Sequence, residues 1–261
     1  MNHPDGVSGT APTPLFSVIT ATYNCRDKIG ATIESVLTQD PALFEYIVID
    51  GNSRDGTLDE VRKHGPALRW ISEPDHGVYD AMNKGVQAAT GRFLYFIGAG
   101  DTLRPGILQR VAVRIRQCEW HHSEDPCFVY GDVFSEEMQK TYGGATGKWK
   151  LSFQNICHQA IFYDRRIFAR LGTYDLKYRI LADYHLNLRC YGAKWIRRHY
   201  IGELVANYQI AGLSSAQDRQ FQADQSAIIR QSLGLTSLLV FKLRHHWLRF
   251  YTNHLAPKEQ A

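Results

Sequence analysis

The chain has few cysteines, and none is placed for the common uses of a thiol. Cys25, Cys118, Cys127, Cys157 and Cys190 are an odd set with no C-x-x-C pair, which excludes a zinc ribbon and offers no disulfide framework. Reduced thiols in the cytosol are the expectation. Long apolar runs are also missing: Gln231 to Phe241 falls far short of the roughly 20 residues that a spanning helix needs. The opening MNHPDGVSGTAPTP has neither the basic nor the apolar segment of a signal peptide. No one sign of charge dominates. Thirty Lys and Arg face 26 Asp and Glu, a net charge of +4, and so weak a bias predicts no nucleic-acid partner. Gly-rich phosphate cradles are absent too: no G-x-G-x-x-G opens the first helix and G-x-x-x-x-G-K-[ST] does not occur, which excludes the dinucleotide fingerprint and the P-loop.

What is present is ample apolar surface: 261 residues, 44% of them hydrophobic and 12% aromatic, enough for one large α/β domain or two small ones. Residues 1–14, with three prolines and two glycines, read as a flexible leader. From Leu15 the pattern alternates. Phe16–Ile19, Tyr46–Ile49, Leu68–Ile71 and Phe93–Ile97 are strand-like, whereas Ile29–Leu37, Leu58–Lys63 and Val78–Ala88 carry apolar residues at helical spacing. This alternation predicts a mostly parallel sheet covered on both faces. The second half reads as mixed. Strands are expected at Phe128–Val133, Ala160–Tyr163, Lys194–Ile196 and Leu204–Tyr208, and a helix at Leu181–Tyr191. Residues 217–233 and 236–253 read as two helices broken at Gly234.

Each of three early strands runs into small and acidic residues: Thr20-Ala-Thr-Tyr-Asn24, Asp50-Gly-Asn-Ser-Arg-Asp-Gly-Thr57 and Gly98-Ala-Gly-Asp101. In a parallel sheet these carboxyl ends share one edge, where open α/β folds bind ligands. Tyr23, Asp50 and Asp101 are therefore expected to face one pocket. A site without a Gly-rich anion loop can neutralise a diphosphate with Mg²⁺ or Mn²⁺, which need only one or two protein carboxylates when phosphate and water complete the shell. Asp101 suits that role.

The runs FSVITATYN, IVIDGNSRDGT, SEPDHGVYDAMNKGVQAATGRFLYFIGAGD and ILADYHLNLR, in this order and spacing, resemble the family 2 glycosyltransferases of the GT-A fold. The likeness spans roughly Leu15 to Ser215 and is nearest to the branch that builds bacterial exopolysaccharide, of the colanic-acid type, in which the DAMNKG and GLSS stretches recur. It implies an α/β GT-A domain over residues 15–215, with a nucleotide-sugar half (15–101), an acceptor half (102–215) and a C-terminal helical extension (216–261). It also implies an inverting transfer of one sugar from a nucleotide donor, with UDP-sugars favoured, to a glycan or lipid-linked saccharide at the cytoplasmic face of a membrane.

Carried over, the resemblance assigns Thr22 and Tyr23 to the nucleotide loop, Asp50 to the base and Asp55 to the turn into the next helix, with Asn52 among the residues that bind the nucleotide sugar. Asn83 and Gly85 fall on the helix that closes over the donor, and Gly100 lies beside it. Asp101 matches the last acid of the metal motif, Asp183 the catalytic base, and His158 and Gln159 the acceptor side. Gly98 and Gly100 stand where many members have acids, and the QxxRW pattern of processive synthases is absent.

Plainer roles compete at each position. Asp183 and Asp101 also suit helix caps, and Asp50 an Asx-turn. His121 and His122 read as solvated. The segment from Leu238 to Tyr251 mixes Leu, Trp, Phe and Tyr with Lys242, Arg244 and Arg249, which fits either an anionic membrane surface or packing against protein. A sugar nucleotidyltransferase and a catalytically degenerate sugar-nucleotide binder are the alternative functions. The first lacks its Gly-rich signature after Ile19, and the second is motivated by Gly98 and Gly100.

Overall fold

Runs of β-branched and aromatic residues form the parallel strands β1 (Phe16–Thr22), β2 (Phe44–Asp50), β3 (Arg69–Ser72) and β4 (Phe93–Phe96). The computed structural model describes residues 13–117, 125–209 and 217–254. Most of the leader, Cys118, His121, His122 and the GLSS stretch lie outside them. β1 pairs with β2 and β4, and β2 with β3, all in parallel. Every residue of β4, and all but Ala21 of β1, is buried, as expected for strands covered on both faces. The covering comes from α1 (Arg26–Leu37), α2 (Thr57–Arg62) and α3 (Val78–Ala88). In α1, Ile29, Thr32, Ile33 and Val36 form the buried stripe, a spacing of three and four that keeps them on one face. α3 lies so close to β1 that a Cβ on Gly85 would overlap Ile19.

The second half completes the sheet with strands of both directions. It contributes β5 (Thr102–Leu103), α4 (Ile107–Gln117), β6 (Cys127–Ser135), β7 (Lys140–Tyr142), α5 (Lys148–Leu151), β8 (Ile161–Asp164), α6 (Arg165–Leu171), α7 (Ala182–Gly192) and β9 (Arg197–Asn207). The order across the sheet is β3-β2-β1-β4-β8-β6-β9-β5, with β7 on β6. β8 runs antiparallel to both β4 and β6, so the mixed character expected of this half is present. The expectation of separate strands at Lys194–Ile196 and Leu204–Tyr208 is corrected: residues 194–196 lie outside the strand, and one long β9 starts at Arg197 and reaches Asn207. Gly202, at φ +65°, interrupts its apolar pattern.

α8 (Arg219–Leu233) and α9 (Leu235–His254) follow, separated by Gly234 at φ +89°, a left-handed conformation that glycine accepts without strain. Among the described residues, no helix is long and apolar enough to cross a membrane.

Candidate active site

The carboxyl ends of β1 and β4 open onto a cavity of about 620 Å³, closed on its other sides by the start of α3, residues 155–159, the start of α7 and the residues after β9. Thr22, Tyr23, Asp101, His158, Gln159 and Asp183 all line it. The six come from four separated stretches of chain, brought together by the crossover from β1 to β4 and the antiparallel return of β8.

Asp101 is only 6% exposed. Its Oδ2 accepts from Gln159 Nε2 at 2.8 Å and its Oδ1 from the Gln209 N–H at 2.9 Å. These bonds aim the carboxylate from the side of the cavity, so the residue is not a helix cap; the next helix begins at Ile107. A Cβ on Gly98 would stand 2.9 Å from Asp101 Oδ2, so glycine keeps the space beside the carboxylate open. Each carboxylate oxygen has a second lone pair for a further ligand. This donor set fits a hard divalent cation held by one protein carboxylate with phosphate and water. Among the described residues no cluster of three His, Cys, Asp or Glu side chains could hold a metal unaided.

Asp183 occupies the other wall, in the first turn of α7, whose N-cap position belongs to Leu181. Its Oδ2 accepts from Asn155 Nδ2 at 2.9 Å, and His158 Nδ1 lies 3.8 Å from the same oxygen. Oδ1 is 2.9 Å from the Tyr79 hydroxyl, which also reaches the Ile180 carbonyl at 2.7 Å. Burial and the negative charge of Asp183 hold the Tyr79 hydroxyl well above its ordinary pKa, so it remains a hydrogen-bond donor. Cys157, between the two walls, has its thiol pushed up to about 12, by burial first and then by Asp183 and Asp101.

Other residues singled out from the sequence are set back from the cavity. Asp50 is fully buried, and its carboxylate accepts from the Ser53 N–H, Ser53 Oγ and Ser72 Oγ. The backbone bond goes to the N–H three residues on, so Asp50 braces its own loop but does not form the two-residue Asx-turn weighed for it. Asn52 sits in the adjoining turn at φ +64°. Asp55 accepts from the N–H groups of Arg26 and Thr57 and ties together the starts of α1 and α2; the Thr57 hydroxyl holds its carboxyl below the usual value. Asn83 makes a two-way bond to the backbone of Tyr174, and Gly85 packs on Ile19. Gly100, at φ +105°, donates its N–H to Thr32 Oγ1.

Sequence reasoning missed Lys28, Asp75, Tyr79, Asn155 and Arg179, which also line the cavity. Tyr79 lies inside a recognised motif. Asn155 and Arg179 come from irregular segments whose place depends on the tertiary fold. Lys28 and Arg179 are exposed and supply cations at its mouth. The Thr22 hydroxyl on the same wall is buried without a hydrogen-bond partner.

A parallel sheet that turns antiparallel beside a carboxylate-lined cleft is the GT-A glycosyltransferase architecture. The structure superposes on S. aureus TarS 1–349 in complex with UDP with a TM-score of 0.69 at 18% identity, covering 94% of this chain and 76% of that one. It also superposes on the mannosyltransferase PcManGT from Pyrobaculum calidifontis, in complex with GDP-Man and Mn²⁺, with a TM-score of 0.59 at 17% identity, covering 93% of this chain and 76% of that one. Within that class, the chain belongs to glycosyl transferase family 2, whose sequence profile matches residues 17–172. A PGL/p-HBAD biosynthesis glycosyltransferase of Mycobacterium tuberculosis is 40% identical over 235 residues, 87% of this chain and 90% of the relative. The putative teichuronic acid biosynthesis glycosyltransferase TuaG of Bacillus subtilis is 36% identical over 101 residues, 37% of this chain and 40% of TuaG.

Proposed function

We propose that the protein transfers a single sugar, with inversion, from a nucleoside-diphosphate sugar to a hydroxyl of a glycan or lipid-linked saccharide. The observation that carries this reading is the placement of two buried carboxylates, Asp101 and Asp183, on separate walls of one cavity. An alcohol is a weak nucleophile at neutral pH, so a carboxylate must accept its proton as the new bond forms. Asp183 takes that proton. The acceptor oxygen bonds to the anomeric carbon while the bond from that carbon to the donor phosphate breaks, and the nucleoside diphosphate leaves with the bonding pair. One displacement of this kind inverts the centre.

Asp101 would hold Mg²⁺ or Mn²⁺, which when bound supplies Lewis-acid stabilisation of the leaving diphosphate. Lys28 and Arg179 add positive charge at the same mouth. Tyr23, 61% exposed at the end of β1, offers a ring face to a base, and Thr22 offers its unpartnered hydroxyl. His158 and Gln159 stand on the acceptor side. A UDP donor is favoured by the UDP and UDP-GlcNAc bound to S. aureus TarS, and a biosynthetic role by the names of the PGL/p-HBAD and teichuronic acid relatives.

The test is Asp183→Asn, which keeps the shape and removes the base. Turnover should fall by about 10²–10⁴-fold while the thermal shift given by donor persists. Asp101→Ala should weaken donor binding as well. The second reading, a degenerate binder, rests on Gly98 and Gly100 in place of acids. It would be favoured if both variants bound donor normally and neither differed from wild type in turnover.

A further inference from the structure

α9 buries Ser237 and packs Leu238 and Phe241 against the core. Its far side is apolar too. Leu235, Leu239, Leu243 and Trp247 are 58–69% exposed and recur every fourth residue, which aligns them in one slowly drifting stripe along the helix. Beside it, α5 presents Trp149, 64% exposed, and Lys148. The two helices touch, and the Arg244 guanidinium lies 4.4 Å over the Phe153 ring, just after α5. Lys242, Arg244, His245 and His246 are exposed on α9, and none of its 20 residues is acidic.

We infer that the α5–α9 face lies on an anionic lipid surface, with Leu239, Leu243, Trp247 and Trp149 dipping into the headgroup boundary and Lys148 and Lys242 above the phosphates. A helix with an apolar stripe, aromatic side chains and basic flanks partitions into that boundary, and each basic residue adds attraction to anionic lipid. A second copy of the chain is the competing occupant of an apolar face. Self-pairing about a two-fold axis would set this acid-free basic strip against itself, and like charges oppose such pairing. The location has a consequence for the site. The segment that leaves α5 through Phe153 becomes the wall bearing Asn155 and His158, so the membrane-bound face and that wall belong to one stretch of chain. Membrane binding is measured without donor or acceptor, so it stands or falls apart from glycosyl transfer.

The experiment is co-sedimentation of the full chain with vesicles of equal parts phosphatidylcholine and phosphatidylglycerol, and with phosphatidylcholine alone. Binding to the anionic vesicles is expected, and Leu239→Glu with Leu243→Glu should reduce it at least about tenfold while leaving the circular-dichroism melt in place. Should that pair fail to fold, brominated phosphatidylglycerol vesicles provide the second readout. They should quench the wild-type tryptophan fluorescence, and the conservative pair Trp149→Phe and Trp247→Phe should lose most of that quenching. Wild-type protein that stays in the supernatant with both vesicle types overturns the inference. So does vesicle binding or quenching unchanged in the variants. A wild-type dimer without vesicle binding that Leu239→Glu converts to monomer would overturn it in favour of a contact between copies.

Discussion

Asn155 shows how single residues hold the site in order. Its Oδ1 accepts from its neighbour's N–H (Ile156) and from Asn187 Nδ2, both at 2.9 Å. With the oxygen committed, the amide nitrogen must face Asp183, and it donates there at 2.9 Å. Asn187 is oriented in turn by the Tyr163 hydroxyl, which donates to its Oδ1 at 2.7 Å. The chain of bonds runs from the core to the cavity wall and fixes which way the Asn155 amide faces. Asn155→Leu should therefore lower kcat by about tenfold, the scale of one lost charge-assisted hydrogen bond, with donor KM unchanged. Steady-state kinetics at saturating acceptor checks it, and a rise in donor KM with unchanged kcat would place Asn155 on the nucleotide side instead. None of this order could be read from the sequence. Asn155 lies in no repeat and no periodic run, and its role exists only because α7 brings Asn187 alongside it.

At the scale of elements, the start of α7 is fixed by a residue from another helix. Asp218 caps α8 by accepting from the Phe221 N–H at 3.1 Å, and its second oxygen accepts from Ile180 and Leu181 at 2.9 and 3.2 Å. One buried carboxylate thus satisfies N–H groups at the starts of two helices and sets the position of Asp183, two residues beyond Leu181. Asp218→Ala should cost about 2–3 kcal/mol of stability and reduce turnover with it, whereas Asp218→Asn should lose less of both. Chemical denaturation and kinetics on the same samples decide this, and an unchanged denaturation midpoint for the alanine variant would refute it.

A second tie, on the exposed side of α8, tests pH. Asp224 takes hydrogen bonds from Lys177, Gln220 and Tyr178, which lower its carboxyl from 3.8 to about 2. A depressed carboxyl stabilises above its unfolded value and loses that contribution as pH falls toward the folded one. Asp224→Asn should therefore lower the melting temperature slightly at neutral pH, and the gap should close between about pH 4 and pH 2. Elements with a clear period were legible in the sequence, including α1, α3, α7 and the α8–α9 break at Gly234. α4 and α6 were not expected, although in α4 Ile107, Leu108, Val111, Ala112 and Ile115 form one buried stripe with Arg110 and Arg114 on the exposed face. The start of β9 was misplaced because Arg197, Arg198 and His199 carry no strand signal.

For the whole molecule, the order β2-β1-β4-β8 matters most, because it sets the two strand ends that carry Thr22 and Asp101 side by side and then reverses direction, leaving a crevice at the switch. The alternation of strands and helices predicted that edge, and the glycines and acids after β1 and β4 marked it. Asp50 and Asp55 shared the same sequence signal, yet the buried Asp50 braces its own loop and the exposed Asp55 ties the starts of α1 and α2 together, since a carboxylate that follows a strand can satisfy backbone N–H groups as readily as it can meet a ligand. A cavity assembled from so many segments should be stabilised as a unit by its ligand. A donor present at about 100 times its Kd adds roughly 2.7 kcal/mol to the folded state, which for a chain of this size corresponds to a rise of about 5–10 °C in melting temperature. We expect that rise with UDP-sugars and Mn²⁺, and a smaller one when EDTA removes the metal, because Asp101 alone cannot offset the charge of a diphosphate. Equal shifts with Mn²⁺ and with EDTA would refute the metal assignment and leave Lys28 and Arg179 to neutralise the phosphates. No shift with UDP-, GDP-, dTDP- or CMP-sugars in either condition would refute the donor pocket itself.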